Sequence, residues 1–259
     1  MPSKPSPRLL TVSRSARVTP NMIRVTFCGD GLEGFPEGRE GANCKLLLPE
    51  QAEPREAFAM RLLDGPTPVR RTYTVRGYRA EAQELDVDFV DHGEGGPASA
   101  WARTAGPGAF LGFAGPGPVK VQSFDADFYL VAADMSALPV AAATLEAMPR
   151  DARGLAIFEV TSPRDIQRLE APEGVELRWL IHDDPHRASL AQLDAIRAMD
   201  WPEGRVRACI AGEHSAIRAL RAFLLTEKGL PKEDAYISGY WKIGLIEDAH
   251  QALKRTEAA

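Results

Sequence analysis

Gly115-Pro116-Gly117-Pro118 divides this chain into two halves that read differently. Upstream, the signal is β. Glu84-Leu85-Asp86-Val87-Asp88-Phe89-Val90 puts Leu85, Val87 and Phe89 on one face and Asp86 and Asp88 on the other. That period of two marks a half-buried strand. Arg24-Val25-Thr26-Phe27 alternates, and Lys45-Leu46-Leu47-Leu48 is a short apolar run stopped by Pro49. Short strands punctuated by Gly and Pro predict an antiparallel barrel or sandwich. Residues 51–68 are polar and Pro-containing, and read as a loop.

Downstream, apolar runs alternate with helical patterns. Phe128–Ala132, Leu155–Val160, Leu177–Ile181 and Val206–Ala211 read as strands, most of them buried on both faces. Between them, 137–148, 190–199 and 215–227 read as helices. Such alternation predicts a parallel sheet with right-handed crossovers. The expected class is β followed by α/β: a barrel over residues 8–121, then a parallel-sheet domain over 122–259, with the boundary near 119–124.

The 259 residues are enough for two ordinary domains, and 44% hydrophobic with 26% charged residues predicts packed cores rather than disorder. A net charge of -5 argues against a nucleic-acid binder, whose footprint is basic. Cys28, Cys44 and Cys209 are far apart, with no C-x-x-C, so neither a zinc site nor an iron–sulfur cluster is expected. Sparse cysteines fit a reducing cytoplasm. The polar, Pro-rich start has no apolar h-region and no run of eighteen apolar residues occurs, so neither signal peptide nor membrane span is expected.

Two motifs carry chemistry in the first half. Arg71-Thr72-Tyr73-Thr74 offers a guanidinium, a ring and two hydroxyls on an extended segment. Arginine suits a pyrophosphate through its planar fork. Tyr73 suits stacking on a flavin ring, and Thr74 a hydrogen bond near its N5. An ordinary strand would also favour Tyr and Thr. About twenty residues on comes His92-Gly93-Glu94-Gly95-Gly96-Pro97-Ala98-Ser99-Ala100-Trp101. Pro97 fits the first position of a helix, whose free N–H groups attract anions, and the glycines permit close approach. A Gly-rich turn with a solvent-facing His92 and a core Trp101 is the plainer alternative. Together the motifs point to a non-covalently held flavin dinucleotide.

In the second half, ligands are expected beyond the carboxyl ends of the strands. Asp134-Met135-Ser136, Gly212-Glu213 and Tyr240-Trp241-Lys242 lie there. Ser136 and Ser215 read as helix caps. No G-x-G-x-x-G occurs, so a transient NAD(P)H fits better than a tightly held one. Lys45, Lys120 and Lys242 are either solvated surface lysines or a basic cup for an anionic substrate.

These stretches resemble the siderophore-interacting protein family of ferric-siderophore reductases, a branch of the ferredoxin-reductase-like superfamily. The resemblance runs from about Leu9 to Lys254. Arg71-Thr72-Tyr73-Thr74 matches its Arg-x-Tyr-Thr motif and His92 to Trp101 its His-Gly…Gly-Pro-Ala…Trp-Ala segment. Pro107-Gly108 and Gly115-Pro116-Gly117 match the turns that follow. Asp134-Met135-Ser136-Ala137-Leu138-Pro139 resembles its Asp-Glu-Thr-Ala-Leu-Pro. The resemblance implies FAD on Arg71, Thr72, Tyr73, Thr74, His92, Gly95, Gly96, Pro97, Ala98, Ser99 and Trp101. It implies NAD(P)H near Asp134, Ser136, Gly212, Glu213, Tyr240 and Trp241, and a ferric siderophore on Lys45, Lys120 and Lys242. Electrons would pass from NAD(P)H, or from reduced ferredoxin, through the flavin to Fe(III), in a cytoplasmic monomer with no resident metal.

Overall fold

A computed structural model of the chain describes residues 6–93 and 96–245. They form two compact units that divide between Val119 and Lys120.

The first unit is one antiparallel sheet of seven strands. These are β1 (Arg8–Thr19), β2 (Met22–Cys28), β3 (Asn43–Leu48), β4 (Val69–Thr74), β5 (Gly77–Arg79), β6 (Glu84–Val90) and β7 (Phe110–Ala114). The order is β4-β3-β7-β1-β2-β6-β5, so the two edge strands are consecutive in the chain. Only Val75 and Arg76 separate them, and two residues span roughly 7 Å. The sheet therefore has to curl until its edges meet, as the expected barrel requires. Accordingly, Arg76 N donates to Asp86 O of β6, and the Tyr73 ring of β4 lies 4.5 Å from that of Phe89. Leu10, Val25, Phe27, Leu46, Leu85, Val87, Leu111 and Phe113 fill the interior.

The alternation read in β6 holds, but its polar face is not solvated. Asp86 and Asp88 are both buried. Thr26 and Arg79 bond Asp86, and Arg24 bonds Asp88 through both oxygens. Opposite charges on adjacent strands cover each other there.

The expected loop over 51–68 is a helix for most of its length: α1 (Arg55–Asp64). It buries only Phe58 and leaves Met60 and Leu63 exposed, so it lacks the apolar stripe by which a helix is recognised. Arg61, bonded to Glu50 and Glu53, fixes it locally. The second helix of this unit is α2 (Pro97–Thr104). β1, β5 and β7 also lay outside the strands read from sequence.

The second unit is a parallel sheet of five strands: β8 (Phe128–Asp134), β9 (Arg153–Val160), β10 (Gly174–Ile181), β11 (Val206–Glu213) and β12 (Ala235–Trp241). The order β10-β9-β8-β11-β12 reverses between β8 and β11. That is the switch point beside which open α/β sheets bind ligands. Helix α3 (Leu138–Ala147) packs on one face, where Thr144 meets Cys209. Helices α4 (Ala191–Arg197) and α5 (His214–Ala222) cover the other, with Leu193, Ile196, Ile217 and Leu220 against Leu130, Ala132, Ala208 and Ile210. A π-helical turn, Phe223–Glu227, continues α5. Both faces are covered, which is why the strands read as continuous apolar runs.

Candidate functional site

The register of β4 on β3 decides what the first motif can do. Tyr73 pairs with Cys44, Thr72 with Lys45, Arg71 with Leu46 and Thr74 with Asn43. Paired residues share a face. Arg71 and Tyr73 are therefore on the face of the core residues Cys44 and Leu46, while Thr72 and Thr74 are on the other. Lys45 Nζ donates to Thr72 Oγ1, and Arg71 Nη1 donates to the Arg70 carbonyl at 2.8 Å.

The second motif opens α2. Gly96 precedes the helix in extended conformation, Pro97 occupies its first turn, and among the described residues no side chain caps it. A Cβ at Gly96 would sit 3.0 Å from His92 Cε1, so glycine is what lets the imidazole lie against the backbone there. Asp91, gripped by Arg17 at 2.6 Å, accepts from Gly93 N and anchors the loop. Gly95 lies outside the described residues. Ala98 and Ser99 are buried. Trp101 packs on Phe27 and Phe89, with ring centroids 6.1 and 5.9 Å away, and so fastens α2 to the barrel.

Phe89 thereby touches both motifs, Tyr73 on one side and Trp101 on the other. Two segments twenty residues apart become neighbours through one core ring. The Ser99 hydroxyl is the informative atom. It is buried, and among the described residues it has no hydrogen-bond partner. Buried hydroxyls are almost always bonded. An uncapped helix N-terminus with an unmet hydroxyl in its first turn fits a phosphate group.

At the switch point the structure corrects the expected caps. Neither Ser136 nor Ser215 caps a helix: α5 is capped by Glu213, and Asp134 closes the turn that leads into α3, whose own N-cap is Ala137. Asp134 Oδ1 accepts from Ser136 N at 2.9 Å, Ala137 N at 3.2 Å and Ser136 Oγ at 2.6 Å. Glu213 Oε2 accepts from Ser215 N at 2.6 Å and Ala216 N at 3.2 Å. A carboxylate outcompetes a hydroxyl at a helix N-terminus because it meets the positive dipole end with full charge. Asp134 Oδ2 also accepts from Trp241 Nε1 at 2.7 Å. Gly212 makes room for this, since a Cβ there would lie 2.7 Å from Asp134 Oδ2. Burial pushes the Asp134 carboxyl up, against the pull of Ser136 and Trp241.

The Tyr240 hydroxyl lies 3.1 Å from that of Tyr236. Lys120 Nζ lies 5.8 Å from the Tyr236 ring centre, and burial lowers its pKa. Lys242 follows β12 directly. Lys45 belongs to the first unit, Lys120 and Lys242 to the second. Two residues at this edge escaped the sequence reading. Gln192 Nε2 donates to the Ala133 carbonyl at the end of β8, and Glu159, at the end of β9, accepts from Ser189 Oγ at 2.7 Å. Neither stands in a recognisable motif; only the fold brings them to the strand ends.

The family of siderophore-interacting FAD-binding domains matches residues 11–120, and that of siderophore-interacting proteins matches 126–244. Ferric vibriobactin reductase ViuB of Vibrio cholerae is 38% identical over 251 residues, which are 94% of this chain and 92% of that protein. The chain belongs to the siderophore-interacting protein family. The resemblance drawn from the motifs is thus borne out. The NADPH-dependent ferric-chelate reductase of Escherichia coli is 30% identical, over 90% of this chain and 92% of its own. The siderophore-interacting protein SipS of Aeromonas hydrophila has the same fold, with TM-score 0.84, 33% identity and coverage of 98% of this chain and 99% of that one. Among the described residues, no helix is long and apolar enough to cross a membrane.

Proposed function

We propose that this chain is an FAD-dependent ferric-siderophore reductase. It takes electrons from NAD(P)H, or from reduced ferredoxin, and delivers them to siderophore-bound Fe(III) in the cytoplasm, as a monomer. Siderophores hold iron with hard oxygen donors, and reduction to Fe(II) weakens that hold. Two relatives named as ferric reductases, each aligned with this chain over 92% of its length, support the reading. The observation that carries it is the unmet hydrogen bonding at the start of α2, where Ser99 Oγ has no partner among the described residues, next to the ring chain that leads to Tyr73.

In this reading, residues 8–121 hold FAD and residues 122–259 take the donor. Arg71 with His92, Gly95, Gly96, Pro97, Ala98 and Ser99 would hold the pyrophosphate and ribose. Tyr73, Thr72 and Thr74 would hold the flavin ring, and Trp101, packed on Phe27 and Phe89, fastens α2. Bound FAD supplies the step from a two-electron donor to single electrons. Asp134, Ser136, Gly212, Glu213, Tyr240 and Trp241 form the donor region, and Lys45, Lys120 and Lys242 attract an anionic chelate. No side chain is required as an acid or base.

The test is anaerobic. Yellow protein is mixed with NADH, NADPH or reduced ferredoxin, then with a panel of ferric siderophores, while the flavin spectrum is followed. Bleaching by a donor and recovery on adding a ferric siderophore are expected. Recovery only with ferredoxin or free flavin would establish a flavin or ferredoxin reductase instead. A colourless protein that binds ferric siderophore without FAD would establish a binding module. Arg71→Ala should come off the column colourless; stoichiometric FAD in that variant would refute the assignment of Arg71.

A further inference from the structure

At a dinucleotide site of the usual α/β kind, pyrophosphate sits on the N-terminus of the helix after the first strand, approached through glycines. Here that strand is β8 and that helix is α3, and the turn between them, residues 135–137, is already closed by a carboxylate. The Asp134 carboxylate takes the N–H groups of Ser136 and Ala137. Its second oxygen is tied to Trp241 Nε1 at 2.7 Å, so it is held from both ends. Gly212, the glycine at this edge, gives its space to Asp134 and not to a ligand. The residues in place of glycines carry side chains: Met135 is buried and receives the Thr161 hydroxyl at 3.5 Å. Pro139, in the first turn of α3, contributes no N–H.

We propose that Asp134 is an affinity-determining residue that keeps dinucleotide phosphate off the turn between β8 and α3, so that the donor is held loosely and exchanges rapidly. This deepens the donor assignment above and rests on it. Three adjacent strands build the device: β8 supplies the carboxylate, β11 the space at Gly212, and β12 the indole that fixes it. Its consequence is a nucleotide site whose strongest anion-binding feature is occupied by the chain's own charge.

The test uses the FAD-loaded protein and calorimetric titration with NAD+, NADP+ and inorganic pyrophosphate. Asp134→Asn keeps an acceptor for Ser136 N and Ala137 N but removes the charge. It should bind both dinucleotides about tenfold more tightly, the scale of one like charge removed near a phosphate, and should gain pyrophosphate binding. Trp241→Phe keeps the charge and frees one oxygen, and should tighten binding less. Asp134→Ser is the substitute if the Asn variant melts early, and the same gain is expected. Unchanged or weaker binding in the neutral variants overturns the proposal, including the case in which neither they nor the parent bind any probe. If NAD(P)H fails to reduce the parent flavin while Asp134→Asn gains pyrophosphate binding, the donor assignment falls and the role of Asp134 stands.

Discussion

Ser99→Ala should move two measurements in opposite directions. The Ser99 hydroxyl is buried without a partner among the described residues, and such a group costs about 1–3 kcal/mol in the folded state. Alanine keeps the Cβ, removes the cost and is a better helix former by roughly 0.5 kcal/mol. The FAD-free protein should therefore gain about 1.5–3.5 kcal/mol, a rise of roughly 5–15 °C in the melting of its first unit. Bound FAD would give the hydroxyl a phosphate acceptor, a charge-assisted bond of about 1.5–3 kcal/mol. Its loss should raise the FAD dissociation constant by roughly 10–150-fold. Thermal melting of the FAD-free form and fluorescence titration with FAD measure both. A destabilised FAD-free variant would mean that Ser99 has an internal partner. An unchanged FAD affinity would mean that no phosphate reaches it. Either result refutes the reasoning.

Gly212→Ala should destabilise the second unit by about 2–4 kcal/mol, because residue 212 has φ +155° and a Cβ would meet Asp134 Oδ2 at 2.7 Å; a melting temperature within 2 °C of the parent, roughly under 1 kcal/mol, would contradict the crowding at Asp134. Lys45→Glu with Lys242→Glu should raise the KM for an anionic ferric siderophore severalfold and leave flavin reduction by the donor unaltered; equal KM values would remove the basic cup. Burial pushes the Cys209 thiol up to about 11 and the Cys44 thiol higher still, whereas an unfolded thiol ionises near 8.5. The folded state keeps protons that the unfolded chain releases, so stability is full below about pH 8.5 and falls as pH rises toward 11, by about 1.4 kcal/mol per unit for each thiol. Denaturant midpoints of the parent and Cys209→Ala should converge over that range; a constant gap would refute it.

Much of the fold was legible because its signals are local. The apolar runs of β8, β9 and β11 and the alternation in β6 follow from which faces are covered, and a strand's own residues record that. The same holds for the glycine before α2 and for Pro97 in its first turn. Helix α1 was hidden because it buries a single ring, Phe58, and its stabilising ion pairs leave no periodic trace.

What the sequence by itself determined is the inventory: two halves, a flavin-type Arg-x-Tyr-Thr segment, a Gly-Pro helix start and acidic groups at the strand ends. What only the tertiary structure decided is which of these groups remain available. Strand register puts Tyr73 and Thr74 on opposite faces, and one core ring, Phe89, links Tyr73 to the helix that bears Ser99. Sheet order brings Trp241 to Asp134 across 107 positions of chain. A hydrogen bond to a residue so distant is absent from any local pattern, and it depends on the order in which β8, β11 and β12 are laid side by side.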